Sequence, residues 1–136
     1  MNDLSLGDRK VVQITGINHR GDGVCRINGF TVFVPFAILD EHIEIELTVL
    51  KKNYGVGQIK TIIESSPARV QPLCPVFGQC GGCHIQHMDY RTQSMLKESI
   101  VKDALVRIGG LDDVEMMQPI IAADSPRYYR NKAQVP

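Results

Sequence analysis

Three of the chain's four cysteines, Cys74, Cys80 and Cys83, fall within the stretch CPVFGQCGGCH at residues 74–84, spaced C-x5-C-x2-C with Gly78, Gly81 and Gly82 between them. Thiolates are soft metal ligands, and interleaved glycines let a backbone fold tightly around a bound centre and turn amide N–H groups toward sulfur. Two metals compete for such a loop. An iron-sulfur cluster takes thiolates almost exclusively, usually four, of which the loop supplies three. Zinc takes four Cys or His ligands in a tetrahedron, and His84 or His87 would complete a Cys3His set. The plainer alternatives are thiols without a metal and histidines that only flank a helix or face solvent.

The remaining thiol, Cys25, sits in GDGVCRI, followed by Asn28-Gly29 and FTVFV. Asn-Gly supplies the two positive-φ residues of a type I′ hairpin turn. In that hairpin Ile27 opposes Phe30 and Cys25 opposes Val32, on the face that also carries Val34. That face is apolar, so Cys25 is expected in the core and not among the ligands.

The elements that hold these residues follow from periodicity. From Arg9 to Ile63 the pattern is all-β. RKVVQITGI is a first strand, the Asn-Gly hairpin supplies two more, HIEIELTVL alternates cleanly, and YGVGQIKTII follows the Lys51-Lys52-Asn53 turn. In HIEIELTVL, Ile43, Ile45, Leu47 and Val49 face one side, and His42, Glu44, Glu46 and Thr48 the other. Five short strands in this length suggest a small closed barrel of the OB type, because closure removes exposed edges. The Ser- and Pro-containing segment ESSPARVQP then bars helix and central strand. A helix is expected over Tyr90–Ile108, with Asp89 as N-cap, a buried stripe of Leu96, Ile100, Ala104 and Ile108, and Gly109-Gly110 as the left-handed stop. The fold class is therefore α+β, with a barrel over residues 1–66, a metal loop and helix over 67–126, and the start of a further element over 127–136.

The sequence has 136 residues, 43% apolar and 22% charged, with fifteen basic residues against fifteen acidic. That composition is globular, and no bulk field recruits a polyanion, so nucleic-acid contact must rest on a local patch. The N-terminus MNDLSLGDRK has no apolar h-region, and no apolar run is long enough to span a bilayer. A cytoplasmic location without membrane contact is expected, where clustered cysteines bind metal more often than they form disulfides.

With these residues in view, a family pattern emerges. GDGVCRINGFTVFVP followed by VLKKNYGVGQI resembles a TRAM domain, a small barrel found on RNA-modifying enzymes. SPARVQPLCPVFGQCGGCHIQHMDYRTQSMLKESIV followed by YRNKAQ resembles the RNA uracil-5-methyltransferases, most closely the bacterial 23S rRNA type. The resemblance implies that Cys74, Cys80 and Cys83 ligate a [4Fe-4S] cluster, with the fourth cysteine beyond Pro136. It also implies a central RNA-binding domain and a domain that binds S-adenosylmethionine, neither of them within these residues, together with the nucleophilic cysteine and acidic base of the reaction. The chain is accordingly expected to be the N-terminal part of such an enzyme, with no catalytic residue of its own and no methylating activity alone. One departure is Leu39-Asp40-Glu41, where the family commonly has Pro-Gly-Glu.

The partner implied is RNA, 23S rRNA in particular, bound by a monomer. On the barrel, Lys51, Lys52 and Tyr54 at one turn, with Arg20 in the loop before Gly21, are the candidate contacts, since cations and aromatic rings together hold single-stranded RNA. Their bland alternative is an ordinary solvated turn. Arg130, Asn131 and Lys132 resemble the family's RNA-facing segment; a salt-bridged strand start would look the same. A structural or RNA-positioning role is expected of the cluster, because C5 methylation moves no net electrons. A stand-alone RNA-binding module and a zinc-stabilised interaction protein are the competing functions.

Overall fold

Residues 9–17 are broken at Ile14–Thr15 into β1 (Arg9–Gln13) and β2 (Gly16–Ile17), where one strand was expected. The computed structural model describes residues 4–112 and 117–132. The chain divides into two compact units, residues 1–71 and 72–136. In the first, β3 (Gly23–Ile27), β4 (Phe30–Val34), β5 (His42–Leu50) and β6 (Tyr54–Glu64) complete a six-stranded sheet of order β1-β5-β6-β4-β3-β2. The count is six, not five, because the first segment changes partner midway. β1 pairs antiparallel with β5, and β2 pairs antiparallel with β3. Between them, the Ile14 amide donates to Glu41 O at 2.9 Å and the Thr15 amide to Val24 O at 2.9 Å. The two end strands of the sheet are thus consecutive halves of one stretch, and the sheet curls to meet itself. The remaining contact, β4 with β6, is parallel.

The alternation expected of residues 42–50 holds as far as Leu47, with Ile43, Ile45 and Leu47 buried; an irregularity between Leu47 and Val49 then puts Leu50, not the expected Val49, against the core. They pack with Val12, Ile14, Cys25, Val32, Val34 and Ala37 as the core of this unit. Asn28 and Gly29 adopt φ of 50° and 84°, the left-handed pair a I′ turn requires. The register Ile27↔Phe30 and Cys25↔Val32 follows from it. Cys25 is fully buried, and burial pushes its thiol up to about 11. It is an inert core residue.

A second buried feature has no counterpart in the alternation pattern. Glu41 is fully buried, yet its carboxylate accepts from Arg69 Nε at 2.6 Å, Arg69 Nη2 at 2.7 Å, the Ile38 amide at 2.9 Å and the Ser66 amide at 3.2 Å. Arg69 Nη2 also donates to Phe36 O at 2.8 Å. Burial by itself raises the Glu41 pKa; the Arg69 hydrogen bonds, the two amides and the Arg69 charge outweigh it, and the carboxyl is held below the ordinary range. The Ser-Pro segment after β6 is thereby fastened to the turn before β5.

In the second unit, α1 covers Tyr90–Asp103 and continues as a π turn over Ala104–Ile108. Asp89 caps it as expected, accepting from the Thr92 amide at 2.7 Å. The expected stripe is not buried. Leu96 and Ile100 are half-buried, Ala104 and Ile108 exposed, and Ser94 is the buried residue of α1. The widening at Ala104 breaks the 3.6-residue period that the stripe assumed, since the Gly109 amide bonds Ala104 O, five residues back. Gly110, at φ 66°, ends the helix. Residues 117–132 run without regular structure and are tied to α1 where the Ala123 amide donates to the Tyr90 hydroxyl at 2.8 Å. The expected strand opening near residue 130 has no strand among the described residues, and Ala133 and Gln134 of YRNKAQ lie outside them. Among the described residues no helix is long and apolar enough to cross a membrane.

Candidate functional site

The turn between β5 and β6 brings three of the expected residues together. The Lys51 amide donates to Tyr54 O at 2.8 Å, closing the turn and leaving the Lys51 and Lys52 side chains exposed. Tyr54 opens β6 with a ring 40% exposed, edge-on to Phe33 at 5.6 Å between centroids. Register extends the patch. Arg26 opposes Thr31, and Thr31 opposes Tyr54, so the three form one row across β3, β4 and β6. Val24, Phe33 and Val56 form the adjacent row on the same face, because Cys25, Val32 and Gly55 between the rows are buried. Among the described residues no carboxylate lies within ion-pair distance of Arg26, Lys51 or Lys52. Half-exposed rings flanked by uncommitted cations suit nucleobases and phosphates.

Arg26 and Phe33 were missed from sequence, although a signal existed. The alternation that sends Cys25 and Val32 inward necessarily sends Arg26 and Phe33 outward.

The outward face of β5 has the opposite character. Arg9 sits 3.9 Å from Glu44 and 3.6 Å from Glu46, and Lys60 sits 3.2 Å from Glu46. Its cations are committed to carboxylates, which would also repel a phosphate chain.

Arg20 does not join the patch. It is exposed in a loop ordered by Asn18, whose Oδ1 accepts from the Arg20 amide at 2.8 Å and the Asp22 amide at 3.0 Å. That loop enters β3 at Gly23, whereas Tyr54 adjoins the far end of β3 through Thr31 and Arg26. Roughly 10 Å of strand separates Gly23 from Arg26.

The second unit holds the other expected residues. In the cysteine loop, Cys74 is half-buried with its amide donating to Gln86 Oε1 at 2.8 Å, while Cys80 and Cys83 are exposed. Arg130 Nη2 donates to Gly82 O at 3.0 Å, between those two thiols in sequence. Its charged form is favoured first by Tyr129 and then by Cys83 and Cys80. The arginine expected to face RNA therefore braces the cysteine loop, and Asn131 and Lys132 stand exposed beside it in sequence. His84 is exposed, and His87 is buried with its ring 5.7 Å from that of Phe77. Among the described residues no group of three or more Cys, His, Asp or Glu is gathered as a metal ion would need. The donor types suit an iron-sulfur cluster or zinc.

Comparison with known proteins bears on the barrel and on the whole chain. Residues 4–60 match the TRAM domain. The chain is 46% identical over 123 residues to an uncharacterized RNA methyltransferase of Clostridium tetani, covering 90% of this chain and 26% of that protein. It is 44% identical over 133 residues to another of Halalkalibacterium halodurans, covering 98% of this chain and 29% of that protein. It therefore spans little more than a quarter of the length of these relatives. Among solved structures, the tRNA (uracil-54, C5)-methyltransferase of Pyrococcus abyssi in complex with S-adenosyl-L-homocysteine is similar, with a TM-score of 0.54 and 30% identity over 71% of this chain and 21% of that one.

Proposed function

Because residues 4–60 belong to the TRAM domain family and the chain is a relative of bacterial RNA methyltransferases over most of its length, we propose that it is the RNA-engaging part of an S-adenosylmethionine-dependent 23S rRNA uracil-5-methyltransferase. The observation that carries RNA engagement is the row Arg26–Thr31–Tyr54 backed by Phe33, with Lys51 and Lys52 at its end. Bases stack on the Tyr54 and Phe33 rings, and the three cations meet the phosphates between them.

Methyl transfer belongs to the whole protein, of which this chain is a part. Uracil C5 is the proposed target because the similar Pyrococcus abyssi enzyme acts on a uracil C5. S-adenosylmethionine is the proposed donor because that enzyme was solved with S-adenosyl-L-homocysteine, the molecule left when the donor gives up its methyl group. The role of this chain's residues is to hold the RNA strand.

For the cysteine loop we propose ligation of a [4Fe-4S] cluster by Cys74, Cys80 and Cys83. Support comes from the three thiols and from the exposure of two of them, and the loop must rearrange to bring them together.

Two experiments test these assignments. Titration of the chain with labelled single-stranded fragments of 23S rRNA and with tRNA of equal length should show tighter binding to the rRNA; equal or tighter binding to tRNA would remove the 23S assignment. Anaerobic purification should yield brown protein containing iron and acid-labile sulfide. Colourless protein with stoichiometric zinc would replace the cluster by a zinc site.

A further inference from the structure

Apart from the outward face, the mouth of the sheet beside the β5–β6 turn contains a groove of about 310 Å³ lined by Leu4, Phe30, Leu50, Lys51 and Lys52. Its lining is divided by chemistry. Leu4, Phe30 and Leu50 are partly buried against the core and form an apolar floor. Lys51 and Lys52 form a cationic rim with no carboxylate partner among the described residues. Two of the lining side chains pack closely over Gly55. A Cβ there would come within 3.3 Å of Phe30 Cε1, 3.3 Å of Leu50 Cδ2 and 3.1 Å of Val49 O. A side chain at position 55 would therefore displace Phe30 and Leu50 by a few tenths of an ångström.

We infer that this groove takes one unstacked pyrimidine nucleotide, its base on Phe30 between Leu4 and Leu50 and its phosphate on Lys51 and Lys52. The volume lies at the bottom of the range for small-molecule sites, which fits one planar base and not a stacked pair. An aromatic wall with aliphatic neighbours matches the apolar faces of a base. Two exposed lysines at consecutive positions of the closed turn suit a phosphate better than a neutral occupant. The inference rests on the RNA-binding function and adds a second foothold to it. Lys51 and Lys52 stand between the outward row and the groove, so a strand crossing them would stack bases outside and turn one base in.

The wild-type chain, isotopically labelled, tests this when titrated with uridine 5′-monophosphate and, separately, with ribose 5-phosphate. The expected result is saturable movement of the Leu4 and Leu50 methyl and Phe30 ring resonances with the nucleotide, whereas the sugar phosphate moves only signals of Lys51 and Lys52. Leu4→Ala, at the rim of the core, should weaken nucleotide binding about fivefold. If the nucleotide leaves Phe30 and Leu50 unmoved, or the sugar phosphate moves them equally, the groove assignment is overturned. Should rRNA fragments still bind in that event, with Tyr54→Ala weakening them, RNA engagement on the outward face stands alone. Saturable nucleotide shifts without rRNA binding would overturn the outward face and leave the groove.

Discussion

Glu41 and Arg69 meet through both carboxylate oxygens, at 2.6 and 2.7 Å, with the carboxylate fully buried and the guanidinium side chain 22% exposed. Removing the cation leaves a buried charge without its main partner. Arg69→Met should therefore cost about 3 kcal/mol of stability, read as a lower urea midpoint at unchanged slope. Arg69→Lys should recover only part of it, because an ammonium cannot match both oxygens at once.

The same pair makes stability depend on acid. Since the folded Glu41 carboxyl titrates below its ordinary range, its contribution is complete above the unfolded value of about 4.3 and is lost as pH falls through the lower, folded value. The stability difference between wild type and Glu41→Gln should be constant above about pH 5 and shrink below about pH 4. Denaturant melts across that interval check it; a gap that stays constant to pH 2 would contradict the assignment.

Asp40 holds φ at 68°, a left-handed conformation that a Cβ disfavours. Asp40→Gly should be neutral or stabilise by up to about 1 kcal/mol, relief of strain being partly offset by backbone entropy. Asp40→Val should destabilise by about 1–2 kcal/mol, and thermal melts should place it below the wild type and Asp40→Gly at or above it.

RNA affinity should respond differently to ring and charge. Tyr54→Ala should lose about 1–3 kcal/mol of binding to single-stranded rRNA fragments, the value of one stacked base, with little change in salt dependence. Lys51→Ala with Lys52→Ala should lower the slope of log affinity against log salt by about 2. Arg20→Ala, at the other end of β3, should change neither by as much.

The legible parts of this molecule were those that a single period controls. The Asn28-Gly29 turn fixed the hairpin register, and alternation put Ile43, Ile45, Leu47 and Cys25 inside. What escaped depended on contacts distant in sequence. Glu41 reads as a surface residue beside Asp40, and only Arg69, 28 residues on, makes its burial possible. The partner change at Ile14–Thr15 is invisible in RKVVQITGI, because alternation within one strand says nothing of which strands lie beside it. In the second unit, a regular helical period over Leu96, Ile100, Ala104 and Ile108 predicted burial that the π turn removes. The cysteine spacing named donor types without fixing where the thiols stand.

The change of partner within residues 9–17 also bears on the order of assembly. Arg9 aligns with Glu46 and Gln13 with His42, whereas Gly16 aligns with Val24, so one half of the stretch closes over a short loop and the other over a much longer one. Contacts so distant in sequence form slowly, so the β1–β5 pairing is expected to lag behind the Asn-Gly hairpin, whose contacts are local.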